Sequence, residues 1–230
     1  MAIPLKTQSC KICTHKSSCF KKLTLPELEV IDENRLEINY KNGEMVCKQG
    51  SFASHILFLK KGLIKLYIEG KDKNLIVAIV PAGNLIGLPS LFGDPIFHYS
   101  AVTYEDSTVC LLNIDVFRNF TQENACFSSE LIKIINETTI QSYDRFFSIS
   151  QKNMHGRYAD LISCLSEKIY QNPKFNITFS RKDLAELASM SAESLSRVIK
   201  DFDKDKIVSA KGKEFEILDQ KRLLSISQNG

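Results

Sequence analysis

Long apolar runs are missing from this chain: the longest, Leu75 to Ala82, is about eight residues, far short of the roughly 20 that a bilayer-spanning helix needs. No membrane partner is expected. The first residues, MAIPLKTQSCKIC, lack the apolar stretch of a secretory leader, so the chain is expected to stay in a reducing cytoplasm, and its seven cysteines do not read as a disulfide framework. Histidine is scarce: His15, His55, His98 and His155 show no ligand-spaced pairing, which argues against a histidine metal site. A glycine-rich phosphate loop and paired acid/base groups are absent as well. An enzyme, for instance an iron–sulfur oxidoreductase, is therefore not expected. Neither repeats nor low-complexity stretches occur, and 43% apolar with 25% charged residues over 230 positions is ordinary for a folded chain.

Charge is distributed unevenly. Residues 151 to 230 hold 14 Lys+Arg against 11 Asp+Glu, whereas the preceding 150 residues are balanced. The whole excess of +3 sits in the last third, a mild pointer to a polyanionic partner there.

Four segments follow from pattern: a cysteine-bearing arm (1–22), a strand-rich domain (23–122), a long helix (123–153) and a small C-terminal domain (154–230). Thr24 and Glu27 form a T-x-x-E capping box that opens a short helix with Leu28 and Ile31 on its apolar face. The period then changes. Short apolar runs (Leu36 to Tyr40, Met45 to Lys48, Ile56 to Leu59, Leu63 to Ile68, Leu75 to Val80, Ser100 to Thr103, Thr108 to Leu112) alternate with turn signals at Asn42-Gly43, Gly50, Gly62, Gly70 and Gly83. Such spacing predicts a β-barrel or β-sandwich. From Glu123 to Lys152 glycine and proline are absent, and Ile132, Ile135, Thr139, Ser142, Phe146 and Ile149 recur at 3,4,3,4,3 spacing. Such spacing is expected for the seam of a dimer-forming helix, the alternative being a helix packed on its own domain.

Helical pattern resumes from Tyr158 to Tyr170 and stops at Asn172-Pro173. Ser180 with Asp183 caps a helix running to about Ser189, Met190 lies in a tight turn, and Ser191 caps a second helix from Ala192 to Phe202. Two short helices joined in this way form a helix-turn-helix. Leu195, Val198, Ile199 and Phe202 anchor the second helix, leaving Glu193, Ser196 and Arg197 on its exposed face, where they suit the hydrogen-bonding edges of bases in a major groove. Ser180, Arg181, Ser191, Lys200, Lys211 and Lys213 would hold phosphates. Ile207 to Ala210 and Phe215 to Leu218, joined through Lys211-Gly212-Lys213, predict a hairpin wing.

The strings KNGEMVCKQG, KKGLIKLY, PAGNLIG and SAESLSRVIKDFDKDKIVSAKGK, in this order, resemble the Crp/Fnr family of bacterial transcription regulators along essentially the whole chain. The resemblance implies an α+β fold with an N-terminal β-roll of the cyclic-nucleotide-binding type, a long dimerisation helix and a C-terminal winged helix-turn-helix. It also implies a homodimer on an inverted-repeat operator in double-stranded DNA, with RNA polymerase touched by the loops at Gly70 to Asn74 and Gly93 to His98. The family's E-x-x-S/G-R motif matches Glu193, Ser196 and Arg197. Ala192 stands where cyclic-AMP-responsive members carry an extra arginine, so the reading surface resembles the FNR branch.

The family's nucleotide contacts need a Gly-Glu pair and an Arg-Ser pair, which here become Gly87-Leu88 and Tyr99-Ser100. Leucine cannot accept a ribose proton and tyrosine cannot neutralise a phosphate, so cyclic AMP is not expected. Another small molecule in the roll, apolar to suit Leu88, Phe92 and Phe97, is the alternative signal.

Cys10, Cys13 and Cys19 form C-x2-C-x5-C, with Cys110 far downstream in STVCLLNI. By residue type the set suits an iron–sulfur cluster, a zinc or bare redox-thiol site, or a structural arm. Lys11, His15 and Lys16 add charge to the arm without adding a needed ligand. Resemblance to the FNR branch, which holds an oxygen-labile [4Fe-4S] cluster on cysteines so spaced, implies that cluster and a sensor of redox state, oxygen or nitric oxide. Where oxygen-responsive relatives carry an acidic residue in the dimer helix, this chain has Ser142, a departure that bears on a cluster-controlled monomer–dimer switch. Cys47, Cys126 and Cys164 stand in apolar patterns and are expected to be small buried hydrophobes.

Overall fold

The computed structural model describes residues 9–10, 13, 16–71 and 74–230, which fall into two compact units divided at Thr138 and Thr139. Lys11, His15 and the other arm residues at 1–8, 12 and 14 lie outside the described residues, as do 72–73 of the Gly70 to Asn74 loop.

In the first unit a 3₁₀ turn at Cys19–Lys22 leads into helix α1 (Leu25–Glu33), whose start is the expected box: the Thr24 side chain accepts from the Glu27 N–H, and the Glu27 carboxylate accepts from the Thr24 N–H. Eight strands follow: β1 (Arg35–Tyr40), β2 (Met45–Cys47), β3 (His55–Lys61), β4 (Leu63–Ile68), β5 (Leu75–Pro81), β6 (Leu85–Ile86), β7 (Ser100–Thr103) and β8 (Ser107–Asn113). They make two antiparallel sheets, ordered β1-β8-β3-β6 and β2-β7-β4-β5. This is the expected roll. Among the turn glycines, Gly62 (φ 103°) is forced twice over: an L side chain is strained there, and a Cβ would lie 2.1 Å from the Ser107 hydroxyl oxygen.

Strand alternation separates two cores. Leu57, Leu59 and Val109 face the roll interior with Ile64, Leu66 and Phe97. Ile56, Phe58, Cys110 and Leu112 point the other way, where the arm and α1 cover them with Cys19, Phe20, Leu28 and Ile31. Helices α2 (Ile114–Glu123) and α3 (Ala125–Gln151) continue this outer core through Phe117, Phe120, Phe127 and Leu131. Phe20 lies edge-on to Phe58 (5.7 Å) and Phe117 (5.9 Å) and stacks on Phe127 (6.5 Å). The Asn124 side-chain oxygen caps α3 by accepting from Phe127 N–H, while its amide donates to Glu27.

Helix α3 runs through the boundary between the units. Ile132, Ile135 and Phe146 of the expected seam are exposed, and so are Ile140, Tyr143 and Phe147, so the apolar face is wider than the heptad alone gave. Thr139 and Ser142 are exposed and Ile149 is half-buried.

The second unit contains α4 (Met154–Cys164, continued by a π-helical turn at Leu165–Ile169), α5 (Arg181–Leu187), α6 (Ala192–Lys204), α7 (Gln220–Asn229) and a three-stranded sheet ordered β10 (Val208–Lys211), β11 (Glu214–Ile217), β9 (Lys174–Asn176). Asp160 of α4 accepts from Ser148 and Lys152 at the end of α3 and from Ser227 of α7. Of the three cysteines expected to be core fillers, Cys47 is buried but Cys126 and Cys164 are exposed. Helical periodicity is the reason: Phe127 and Leu131 take the inward face of α3, and Leu161, Ile162 and Leu165 that of the α4 segment, turning the neighbouring thiols outward.

Candidate functional site

The cysteine site is built on the outward face of the β1-β8-β3 sheet. Register places Glu37, Cys110 and Phe58 side by side across it, with Arg35 and Leu112 one step along. A small open cleft is lined there by Cys10, Cys13 and Cys110 together with Lys16, Arg35, Glu37 and Lys60. Three of the four expected ligands thus line one cleft. The fourth, Cys19, packs in the adjoining core at 0% exposure, its thiol 3.4 Å from the Ser17 hydroxyl.

Among the described residues no three Cys, His or carboxylate groups stand together at metal-holding distance. The donor set nevertheless suits an iron–sulfur cluster: thiols, on a short loop plus one distant strand, beside an excess of cations. A cluster held by all four cysteines would require Cys19 to leave its core position. Burial pushes the Cys10 thiol up to about 12 and those of Cys19 and Cys110 up to about 11, so these three are protonated at neutral pH and a metal bound to them would displace their protons.

The ionic residues around the thiols were not singled out from sequence. Arg35 donates from Nε to Asp32 and from Nη1 to Glu37, both at 2.9 Å, and Lys60 donates to Glu37 at 3.0 Å. The Arg35 Nη1 also points at Cys110 Sγ, 3.7 Å away. Alternating charges on a strand ordinarily mean a solvated face, and the only contrary sign was the nearby cysteine arm that covers this one.

Inside the roll, the positions expected to meet a ligand are occupied by the protein's own groups. The Gly87 N–H donates to the Tyr99 hydroxyl at 2.8 Å. Ser100 donates to Glu69 at 2.6 Å and accepts from the Gln49 N–H at 2.9 Å. Of the apolar residues expected there, only Phe97 belongs to the roll interior: Leu88 packs on the outer core and Phe92 is exposed.

In the second unit, Ser180 and Ser191 are N-caps, their hydroxyls accepting from the N–H groups of Asp183 and Ser194. Helix α6 buries Leu195, Val198 and Phe202 and exposes Glu193 and Arg197, which pair with each other across one turn. Ser196 is exposed and bonds back to the Ala192 carbonyl. Lys200, Lys211 and Lys213 are exposed, the last two flanking Gly212 (φ 61°) at the wing tip. Arg181 donates from Nη2 to the Gly212 carbonyl and lies 4.9 Å from the Phe215 ring centroid, engaged with the wing.

This pairing of a roll and a winged helix-turn-helix has counterparts among known proteins. A cyclic nucleotide-binding domain model matches residues 37–124 and a Crp-like helix-turn-helix domain model matches residues 156–226. The chain belongs to the Crp/Fnr family. As a Crp/Fnr protein it is a DNA-binding transcription regulator and not an enzyme. It is 25% identical to the fumarate and nitrate reduction regulatory protein of Vibrio cholerae, over 95% of this chain and 90% of that one. Against the transcriptional activator protein anr of Pseudomonas aeruginosa it is 22% identical, over 95% and 92%. In fold it is similar to FixK2 of Bradyrhizobium japonicum (TM-score 0.77, 17% identity, 84% of this chain and 96% of that). It is likewise similar to a CooA mutant of Carboxydothermus hydrogenoformans (TM-score 0.72, 19% identity, 86% and 90%). No described helix is long and apolar enough to cross a membrane.

Proposed function

We propose that this Crp/Fnr regulator is a cytoplasmic homodimer that senses redox state, oxygen or nitric oxide through a [4Fe-4S] cluster on Cys10, Cys13, Cys19 and Cys110, and reads an inverted repeat with α6. One observation carries the reading: Cys10, Cys13 and Cys110 line a single cleft together with three cationic side chains. When bound, the cluster supplies an oxidant-labile centre whose loss changes the charge and shape of the arm. The chain's own residues do the rest. Cys110 is fixed by strand register, Cys10 is tied to α1 through its N–H on Asp32 at 3.1 Å, and Phe20, next to Cys19 in the chain, stacks on Phe127 in the first turn of α3. The exposed apolar face of α3 suits a second copy of the chain, which would bring two recognition helices to successive half-sites about one helical turn apart. Half-sites like TTGAT suit the FNR-type reading face, and RNA polymerase is the partner for the loop at Gly93 to His98. The filled positions at Tyr99 and Ser100 weigh against cyclic AMP or another ligand in the roll as the signal.

Anaerobic purification followed by visible absorption and iron and sulfide assay tests this. The wild type should be brown with about four iron per chain, and Cys13→Ser or Cys110→Ser should be colourless. A wild type that holds zinc, or no metal after reconstitution, overturns it.

A further inference from the structure

Arg35 and Glu37 are 4% and 5% exposed, and the Lys60 side chain beside them is 14% exposed. Burying such charges costs several kcal/mol per ion, which pairing only partly offsets, and apolar residues of similar volume would cover a sheet at least as stably. The arrangement therefore asks for a use beyond packing. The cleft lining supplies one: Lys16, Arg35 and Lys60 against the single carboxylate of Glu37, with Asp32 standing behind Arg35. Four thiolates around a core of formal charge 2+ leave a net dianion. Arg35 is aimed at the Cys110 sulfur, 3.7 Å from its Nη1, and is the cation that offsets the Glu37 carboxylate lying 4.0 Å from the same sulfur.

We propose that Arg35 is a positioning and charge-balancing residue for the Cys110 thiolate, an inference that rests on the cluster reading above. Its guanidinium reaches three groups at once: Nε to Asp32, Nη1 to Glu37, and Nη1 toward Cys110 Sγ. Asp32 also accepts from the Cys10 N–H, so a single carboxylate links the arm's first cysteine to the cation that faces the fourth. Lysine is no substitute, because only the planar fork offers donors in several fixed directions. A cation and an N–H donor at a ligand sulfur stabilise the more negative, reduced cluster over the oxidised one, so Arg35 raises the reduction potential and slows loss to oxidants.

The test compares wild type, Arg35→Lys and Arg35→Gln after anaerobic reconstitution. The readouts are iron and sulfide content, midpoint potential from dye-mediated spectroscopic titration with dithionite, and the rate of bleaching in air. The Arg35→Gln chain should still bind iron but show a lower midpoint, on the order of a tenfold shift in the one-electron equilibrium, about 59 mV. It should also bleach faster in air. Arg35→Lys should fall between the two, and carries the comparison by itself if Arg35→Gln melts before loading. Wild type and variants that load with the same midpoint and bleaching rate overturn this inference alone. A wild type that takes up no iron and sulfide overturns the cluster reading and this inference with it.

Discussion

Arg181, the first residue of α5, donates from Nη2 to the carbonyl oxygen of Gly212 at 2.6 Å, so the helix that begins the DNA-reading motif also holds the tip of the wing. Its stacking on Phe215 fixes the same strand pair from the side. Arg181→Ala should therefore loosen the wing, lowering the domain's stability by about 1 kcal/mol. DNA affinity should fall on every operator sequence alike. Thermal melting and amide exchange at Lys211 to Glu214 check this: unchanged protection there shows that the wing stands without Arg181.

On α6, Arg197 should carry base information. Arg197→Ala is expected to cost about 1–3 kcal/mol and to relax preference at a guanine, because a bidentate fork to one base is lost. Lys211→Ala should weaken all sequences equally and flatten the salt dependence by about one unit of slope, since a phosphate contact does not distinguish bases. Competition on a palindrome library separates the two. Equal losses on every sequence would make Arg197 a phosphate clamp.

The seam on α3 makes its own prediction. Ile135→Glu places a charge against its mate in the dimer and should yield monomers, at a cost on the order of 3–5 kcal/mol. Sedimentation of wild type and variant gives the answer, and an unchanged mass puts the dimer contact elsewhere.

The buried thiols make the fold sensitive to alkali. Cys19 and Cys110 are pushed by burial up to about 11, and Cys47 up to about 12, from 9.0 when unfolded. A raised thiol pKa means that the folded state favours the protonated form. This stabilisation is fully present below pH 9.0 and is lost as pH rises through the folded values. Chemical denaturation midpoints of the metal-free chain should thus be flat with respect to these groups from about pH 7 to 8.5 and fall between about pH 9 and 11, an effect that Cys47→Ala should reduce.

The helix-turn-helix was readable because its signals are local: the caps at Ser180 and Ser191 and the apolar stripe on α6 all act within a few residues. The roll was readable for a similar reason, with turn glycines such as Gly43, Gly50 and Gly83 at positive φ between the strands. Four of the numbered elements escaped, among them β6, which is only two residues long (Leu85–Ile86). Helix α2 follows β8 without a break, so its apolar positions Ile114, Phe117 and Phe120 merged with the strand pattern. Strand β9 is three residues long and pairs with β11 some forty residues later, and α7 lacks a strong apolar stripe, burying Leu223 alone. In the candidate site the cysteine spacing was visible, but the Arg35, Glu37 and Lys60 network was not. Its meaning depends on what lies over the sheet, and that cover comes from the arm.

The aromatic stack at Phe20 has one more consequence. Phe20 adjoins Cys19 in the chain and touches Phe58, Phe117 and Phe127, while Asn124 ties the cap of α1 to the cap of α3. The end of the cysteine arm and the first turns of the long helix thus share one cooperative unit. Loosening of the chain at Cys19 would therefore be felt at the root of the long helix and on strand β3 alike.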